Sequence, residues 1–113
     1  MIKCMLIASC LMFSQFANAY TIAEYKSKIQ EGGESKTYIE IYVSGFGQGL
    51  NWATSYSKIN KNRPVFCAPA KLVINGNVII SIVDNGLKNT QMKDNDPLEL
   101  FILTEMARVF PCS

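Results

Sequence analysis

The 113-residue sequence contains no histidine. That absence removes Ser-His-Asp and Cys-His catalysis together with the commonest metal ligand, so the composition argues against an enzyme. Charge of one sign is also scarce. Eleven Lys and Arg stand against nine Asp and Glu, and no window gathers the basic residues into the stripe that phosphate contacts demand. Nucleic acid is therefore not an expected partner. Long apolar runs are missing too: the stretch from Met5 to Phe13 is interrupted by Ser9 and followed by Ser14 and Gln15, short of the ~18 residues a membrane-spanning helix needs.

That stretch instead fits a secretory leader. Lys3 supplies the positive end, Met5 to Phe13 the apolar region, and Ala17-Asn18-Ala19 a small-x-small cleavage site. Cleavage after Ala19 gives a signal peptide of residues 1–19 and one domain of residues 20–113, delivered to the periplasm with no membrane association. Cys10 in Ile7-Ala8-Ser9-Cys10 is a weaker lipoprotein acceptor, because only about six apolar residues precede it where roughly 7 to 15 are expected. Cys4 and Cys10 leave with the leader, so Cys67 and Cys112 remain in an oxidising space, where a disulfide is the expected state. A bridge closing some 46 residues removes about 4 kcal/mol of unfolded-state entropy in the chain-entropy treatment. No C-x-x-C spacing and no histidine are present to lower a thiol pKa, which leaves a structural staple as the reading of this pair.

Helix punctuation is clear at both ends of the mature chain. Thr21-Ile22-Ala23-Glu24 forms a capping box for a short helix ended by Gly32-Gly33. Asp96-Pro97-Leu98-Glu99 predicts a helix over 97–110, with Asp96 as N-cap, Pro97 at the first helical position, Glu99 as capping-box partner and Pro111 as the stop. Residues 36–57 carry Tyr38, Ile41, Tyr42, Gly45, Gly49, Trp52, Ala53 and Tyr56 at a helical period, while Thr37 to Val43 also suits a strand, and we read one long helix despite the glycines. Gly45 and Gly49 share a face and could admit a close neighbouring helix. Leu72 to Ile80 reads two ways. Asn75-Gly76 between β-branched runs is a hairpin signature and local propensity leans that way, whereas Asn75 or Asn77 as N-cap would start a helix with Val78, Ile79, Ile82, Val83 and Gly86 on its inner face.

Other patterns have plainer explanations than ligand binding. Gly45-Phe46-Gly47-Gln48-Gly49 lacks the G-x-G-x-x-G spacing of a phosphate cradle and suits helix packing. Asp94, Asp96 and Glu105 match three calcium-loop positions, but Glu99 replaces the required glycine and Pro97 begins a helix, so no metal or cofactor is expected. The stripe of Tyr38, Tyr42, Trp52 and Tyr56 reads first as core, or else as a face for a partner or a second copy. Polar connections run from Ser57 to Arg63 and from Lys88 to Asn95, where a rigid scaffold could present binding groups.

Tyr42-Val43-Ser44-Gly45 with Gly49-Leu50-Asn51-Trp52, then Phe66-Cys67-Ala68-Pro69, then Ala107-Arg108-Val109-Phe110-Pro111-Cys112, resemble in order and spacing the Rap/Tai-type immunity proteins of bacterial type VI secretion. The resemblance spans roughly residues 20–112. It implies an all-α fold, a small bundle of about four helices with one intramolecular disulfide, homodimeric, that neutralises a cognate secreted peptidoglycan amidase toxin. It matches Cys67 and Cys112 to the family disulfide and Gly45, Gly49 and Trp52, beside Tyr42, to its long helix and packing or dimer face. It also favours helix over hairpin after Asn75. The polar loops carry no family match. Toxin-binding groups are therefore expected from loop chemistry alone, at Lys88, Asn89, Gln91, Lys93, Asp94 and Asn95 first and at Lys61, Asn62 and Arg63 second. A small periplasmic helical chaperone of the acid-stress type is the competing reading.

Overall fold

The computed structural model describes residues 19–113; residues 1–18, which hold nearly all of the expected leader, lie outside the described residues. Four helices and no strand occur among the described residues: α1 (Ile22–Glu31), α2 (Gly33–Ile59), α3 (Gly76–Leu87) and α4 (Leu98–Val109). A single isolated bridge joins Thr21 to Pro97. The all-α reading holds: residues 36–57 lie within one helix, and the Leu72–Ile80 segment turns helical at Gly76.

Local chemistry explains the boundaries. Thr21 caps α1, its hydroxyl oxygen accepting the Glu24 N–H at 3.1 Å. Gly32 and Gly33 take φ of 73° and 55°, left-handed conformations that let α2 start at once after α1 ends. Asn75 settles the hairpin question, because its Oδ1 accepts the Val78 N–H at 3.1 Å and so caps α3. The cap and the apolar row Ile79, Ile82, Val83 outweigh the local turn propensity of Asn-Gly.

The start of α4 differs from expectation. Pro97, not Asp96, occupies the cap position and no side chain caps the helix. The Asp96 carboxylate accepts the Lys93 N–H at 2.8 Å instead, and Glu99 accepts a hydrogen bond from the Tyr42 hydroxyl. The first α4 donor is met by main chain elsewhere, Leu98 N–H donating to the Tyr20 carbonyl at 2.8 Å, and the regular helical pattern begins with Phe101 N–H to the Pro97 carbonyl at 3.1 Å. A nearby main-chain acceptor made a side-chain cap unnecessary.

Helix α2 ends in a Schellman arrangement, with Asn62 N–H donating to Ser57 O at 2.8 Å and Lys61 N–H to Lys58 O at 3.1 Å. The left-handed position falls on Lys61, at φ 59°. A side chain there costs about 1–2 kcal/mol, partly offset by the greater unfolded-state entropy of glycine. Lys61→Gly is therefore expected to raise stability by about 0.5 kcal/mol or more and Tm by roughly 3 °C, as read by thermal circular dichroism.

The core is built from Ile22 and Tyr25 of α1, Ile39 and Val43 of α2, Ile79 and Val83 of α3, and Leu98, Phe101, Ile102 and Met106 of α4, all buried. Helix α2 approaches α3 at Gly47, where a Cβ would lie 2.5 Å from Ile79 Cγ2. The expected close-packing glycines, Gly45 and Gly49, have nothing within 4 Å on their side. At 27 residues, α2 runs about 40 Å and outreaches its 12-residue partners α3 and α4. The long connection after α2 is recovered by Phe66, which is fully buried. Cys67 follows, disulfide-bonded to Cys112 with Cα atoms 4.9 Å apart. Its N–H donates to the Phe110 carbonyl at 2.7 Å, so this segment is stapled to the end of α4.

Candidate functional site

The connection from α3 to α4, residues 88–97, is irregular but firmly mounted. Ala23 N–H donates to Asp94 O at 2.9 Å and Ile22 N–H to Asp96 O at 3.1 Å, so the first turn of α1 holds the later limb. The earlier limb continues α3 as a tight last turn, with Lys88 N–H donating to Asn85 O at 3.3 Å and Asn89 N–H to Gly86 O at 3.1 Å. Thr90 Oγ1 accepts the Met92 N–H at 3.0 Å, and Met92 packs against the core. Lys88, Asn89, Gln91, Lys93, Asp94 and Asn95 all remain exposed. Of these, Asp94 is already paired with Lys26 at 2.7 Å, an exposed ion pair that ties the loop to α1.

Lys61, Asn62 and Arg63 are exposed at the far end of α2. Among the described residues no hydrogen bond or ion pair joins this segment to the 88–97 loop. The two expected binding segments are thus separate features of the surface, and the first carries the cleft.

That cleft, about 490 Å³, lies between the loop, the end of α3 and the outer half of α4. Its base is a pair that our reading of the sequence did not assign. Glu105 is 4% exposed, and its Oε2 accepts two bonds from Arg108, from Nε at 2.9 Å and Nη2 at 2.7 Å. A Cβ at Gly86 would sit 2.5 Å from the same oxygen, so glycine makes the room the carboxylate occupies. The Glu105 hydrogen bond and then its negative charge hold the Arg108 guanidinium still further above its ordinary pKa. A signal existed: Glu105 falls at a core position of the Leu98, Phe101, Ile102 and Met106 row, and Gly86 at one of the Ile79, Ile82 and Val83 row.

The aromatic stripe of α2 divides. Tyr42 is half-buried, with its ring edge-on to Tyr20 at 4.8 Å and its hydroxyl on Glu99. Tyr38, Trp52 and Tyr56 are exposed, with Trp52 at 75%, so the core reading of this stripe is corrected. The inward row is Ile39, Val43, Gly47 and Thr54. Trp52 borders an open groove of about 600 Å³ floored by Gly45 and Gly49, with Gly76 and Asn77 on the opposite side.

Two tyrosine hydroxyls sit in environments that favour the protonated form. Burial and then the hydrogen bond to Asp84, at 2.7 Å, push the Tyr25 pKa up. Burial and then the Glu99 hydrogen bond push Tyr42 from 10.0 up to about 12. Each folded-state pKa exceeds its unfolded value, so the folded protein holds more protons between them and the associated stability, complete below pH 10, is lost as pH rises toward 12. Urea midpoints are expected to fall across that window, and Tyr42→Phe to flatten the fall. A slope unchanged in the variant contradicts this assignment.

Among the described residues, no group of three or more His, Cys, Asp or Glu side chains could hold a metal ion, and no helix is long and apolar enough to cross a membrane. In comparisons with protein-family models, curated proteins and solved structures, nothing matches this chain.

Proposed function

We propose that this chain is a periplasmic immunity protein that binds a cognate type VI secretion peptidoglycan amidase and blocks its active-site groove. The observation that carries the reading is the mounting of the 88–97 loop. Main-chain hydrogen bonds fix both limbs to α1 and α3, while Lys88, Asn89, Gln91, Lys93 and Asn95 stay exposed. A loop fixed in this way loses little conformational freedom on binding, which is what a tight inhibitor requires. The family resemblance supplies the partner's identity. The mechanism is steric: the loop crosses the groove and excludes the peptidoglycan stem peptide, with affinity concentrated in a few anchors.

The reading is tested by exporting a candidate type VI amidase to the periplasm, with and without this protein. Cells exporting the amidase are expected to survive only when this protein is also present. Continued lysis with the complex formed overturns occlusion.

The homodimer belongs to the same proposal. Tyr38, Ile41, Trp52, Tyr56 and Ile59 are exposed along α2, beside the open Gly45 and Gly49. A second α2 can cross closely over two glycines, with Trp52 as its anchor. Tyr42, engaged within its own chain, drops out of this face. Trp52→Asp is expected to convert a dimer to a monomer in sedimentation equilibrium with the melting transition retained. An unchanged mass places the interface elsewhere.

A further inference from the structure

We propose that the cleft beneath residues 88–92 is a receptor for one cationic side chain, lysine or arginine, of a protein partner, with Glu105 as its acceptor. This rests on the 88–97 loop being the partner-facing side.

The cleft is built around a buried charge. Glu105 occupies a core position of α4, and Gly86 supplies the space for its carboxylate. Among the described residues, both Arg108 bonds converge on Oε2 and Oε1 accepts none. An incoming cation can therefore land on Oε1 without displacing Arg108, leaving the carboxylate bridged between two positive groups.

The surrounding charge selects the sign of the guest. Two carboxylates, Glu105 and Asp96, face the cleft against one guanidinium, and that guanidinium stands at the rim on a side chain 60% exposed. The end of α3 lies in the same wall, and Lys88 at its C-cap offsets the negative pole of the helix, so the sign is set by the carboxylates themselves. Asn89 and Gln91 offer amide oxygens, and the half-buried Met92 offers an apolar side against which the alkyl stem of a lysine or arginine packs. An acidic side chain would meet the Glu105 and Asp96 carboxylates.

Titration of the 15N-labelled oxidised protein with N-acetyl-arginine amide, and separately with N-acetyl-glutamate amide, tests this without any toxin. The arginine probe is expected to shift the amides of Gly86, Asn89, Gln91 and Glu105, and the glutamate probe to leave them in place. Glu105→Gln, which keeps the shape, is expected to weaken the arginine response by about tenfold or more. Arg108→Ala frees Oε2 and is expected to strengthen it several-fold. A response to glutamate that Arg108→Ala abolishes overturns the proposal, as does an arginine response indifferent to Glu105→Gln or no arginine response at all. If the immunity reading fails while arginine still binds, the receptor stands with a different partner. If toxin is neutralised equally by Glu105→Gln and the native protein, the cleft is not its anchor.

Discussion

Cys67→Ser is expected to lower stability by about 4 kcal/mol, the entropy released to the unfolded chain when a bridge between residues 45 apart is opened. That is a large part of the roughly 5–15 kcal/mol available to a whole domain. The loss falls on a segment with little else to hold it. Between α2 and α3 only Phe66 is buried, and Cys67 makes the one main-chain bond to Phe110. Tm should drop by roughly 20 °C, with the largest early loss at residues 64–74. Cys112→Ser and the double variant should match the single one, because each removes the same constraint. Native protein under reductant should also match. Equal urea midpoints for the oxidised protein and Cys67→Ser would show that the bridge carries no stability.

Gly47→Leu is expected to cost about 3 kcal/mol or more, since α2 and α3 must separate to admit it. The added Cβ alone meets Ile79 Cγ2 at 2.5 Å and Cδ1 at 2.7 Å. Better helix propensity returns only about 1 kcal/mol. Gly45→Leu and Gly49→Leu serve as controls, because nothing lies within 4 Å of either site in the chain. Both should leave the monomer's stability unchanged or improved. Combining Gly47→Leu with Ile79→Ala should recover part of the loss, a coupling expected only of groups in contact. If all three leucine variants melt alike, Gly47 is not the point of close approach.

These glycines show where the sequence was readable and where it was not. The helical period over residues 36–57 correctly indicated one long helix, but α2 is apolar on two sides. Ile39, Val43 and Gly47 form one row and Tyr38, Gly45 and Trp52 another, so periodicity could not say which row faces inward. Aromatic size favoured the wrong one. Capping was legible wherever side chains perform it, at Thr21 and at Asn75, and failed at Asp96, where the Tyr20 carbonyl took the Leu98 N–H. That substitution is tertiary and leaves no local mark. The disulfide was legible from the cysteine count once cleavage of a leader was expected. The cleft is marked only by Glu105, whose spacing from Asp94 and Asp96 also suits a calcium loop, yet a glutamate in the buried row of one helix opposite a glycine in the buried row of another is a pattern periodicity can find.

Loop chemistry singled out the 88–95 segment for its polarity. Its attachment to the first turn of α1 depends on contacts some 70 positions apart in sequence, such as Lys26 with Asp94. Only the fold reveals that this loop is held rather than loose, and that its exposed side chains ring a cleft with a buried carboxylate at its base.

The most direct test of the inhibitor account is the rate at which a candidate cognate amidase hydrolyses purified peptidoglycan, titrated with the oxidised native protein and with a Lys88→Glu, Lys93→Glu variant of native melting temperature. The account predicts that hydrolysis stops at equimolar native protein and continues with the loop variant. Full hydrolysis in excess native protein, or equal inhibition by both forms, would contradict it.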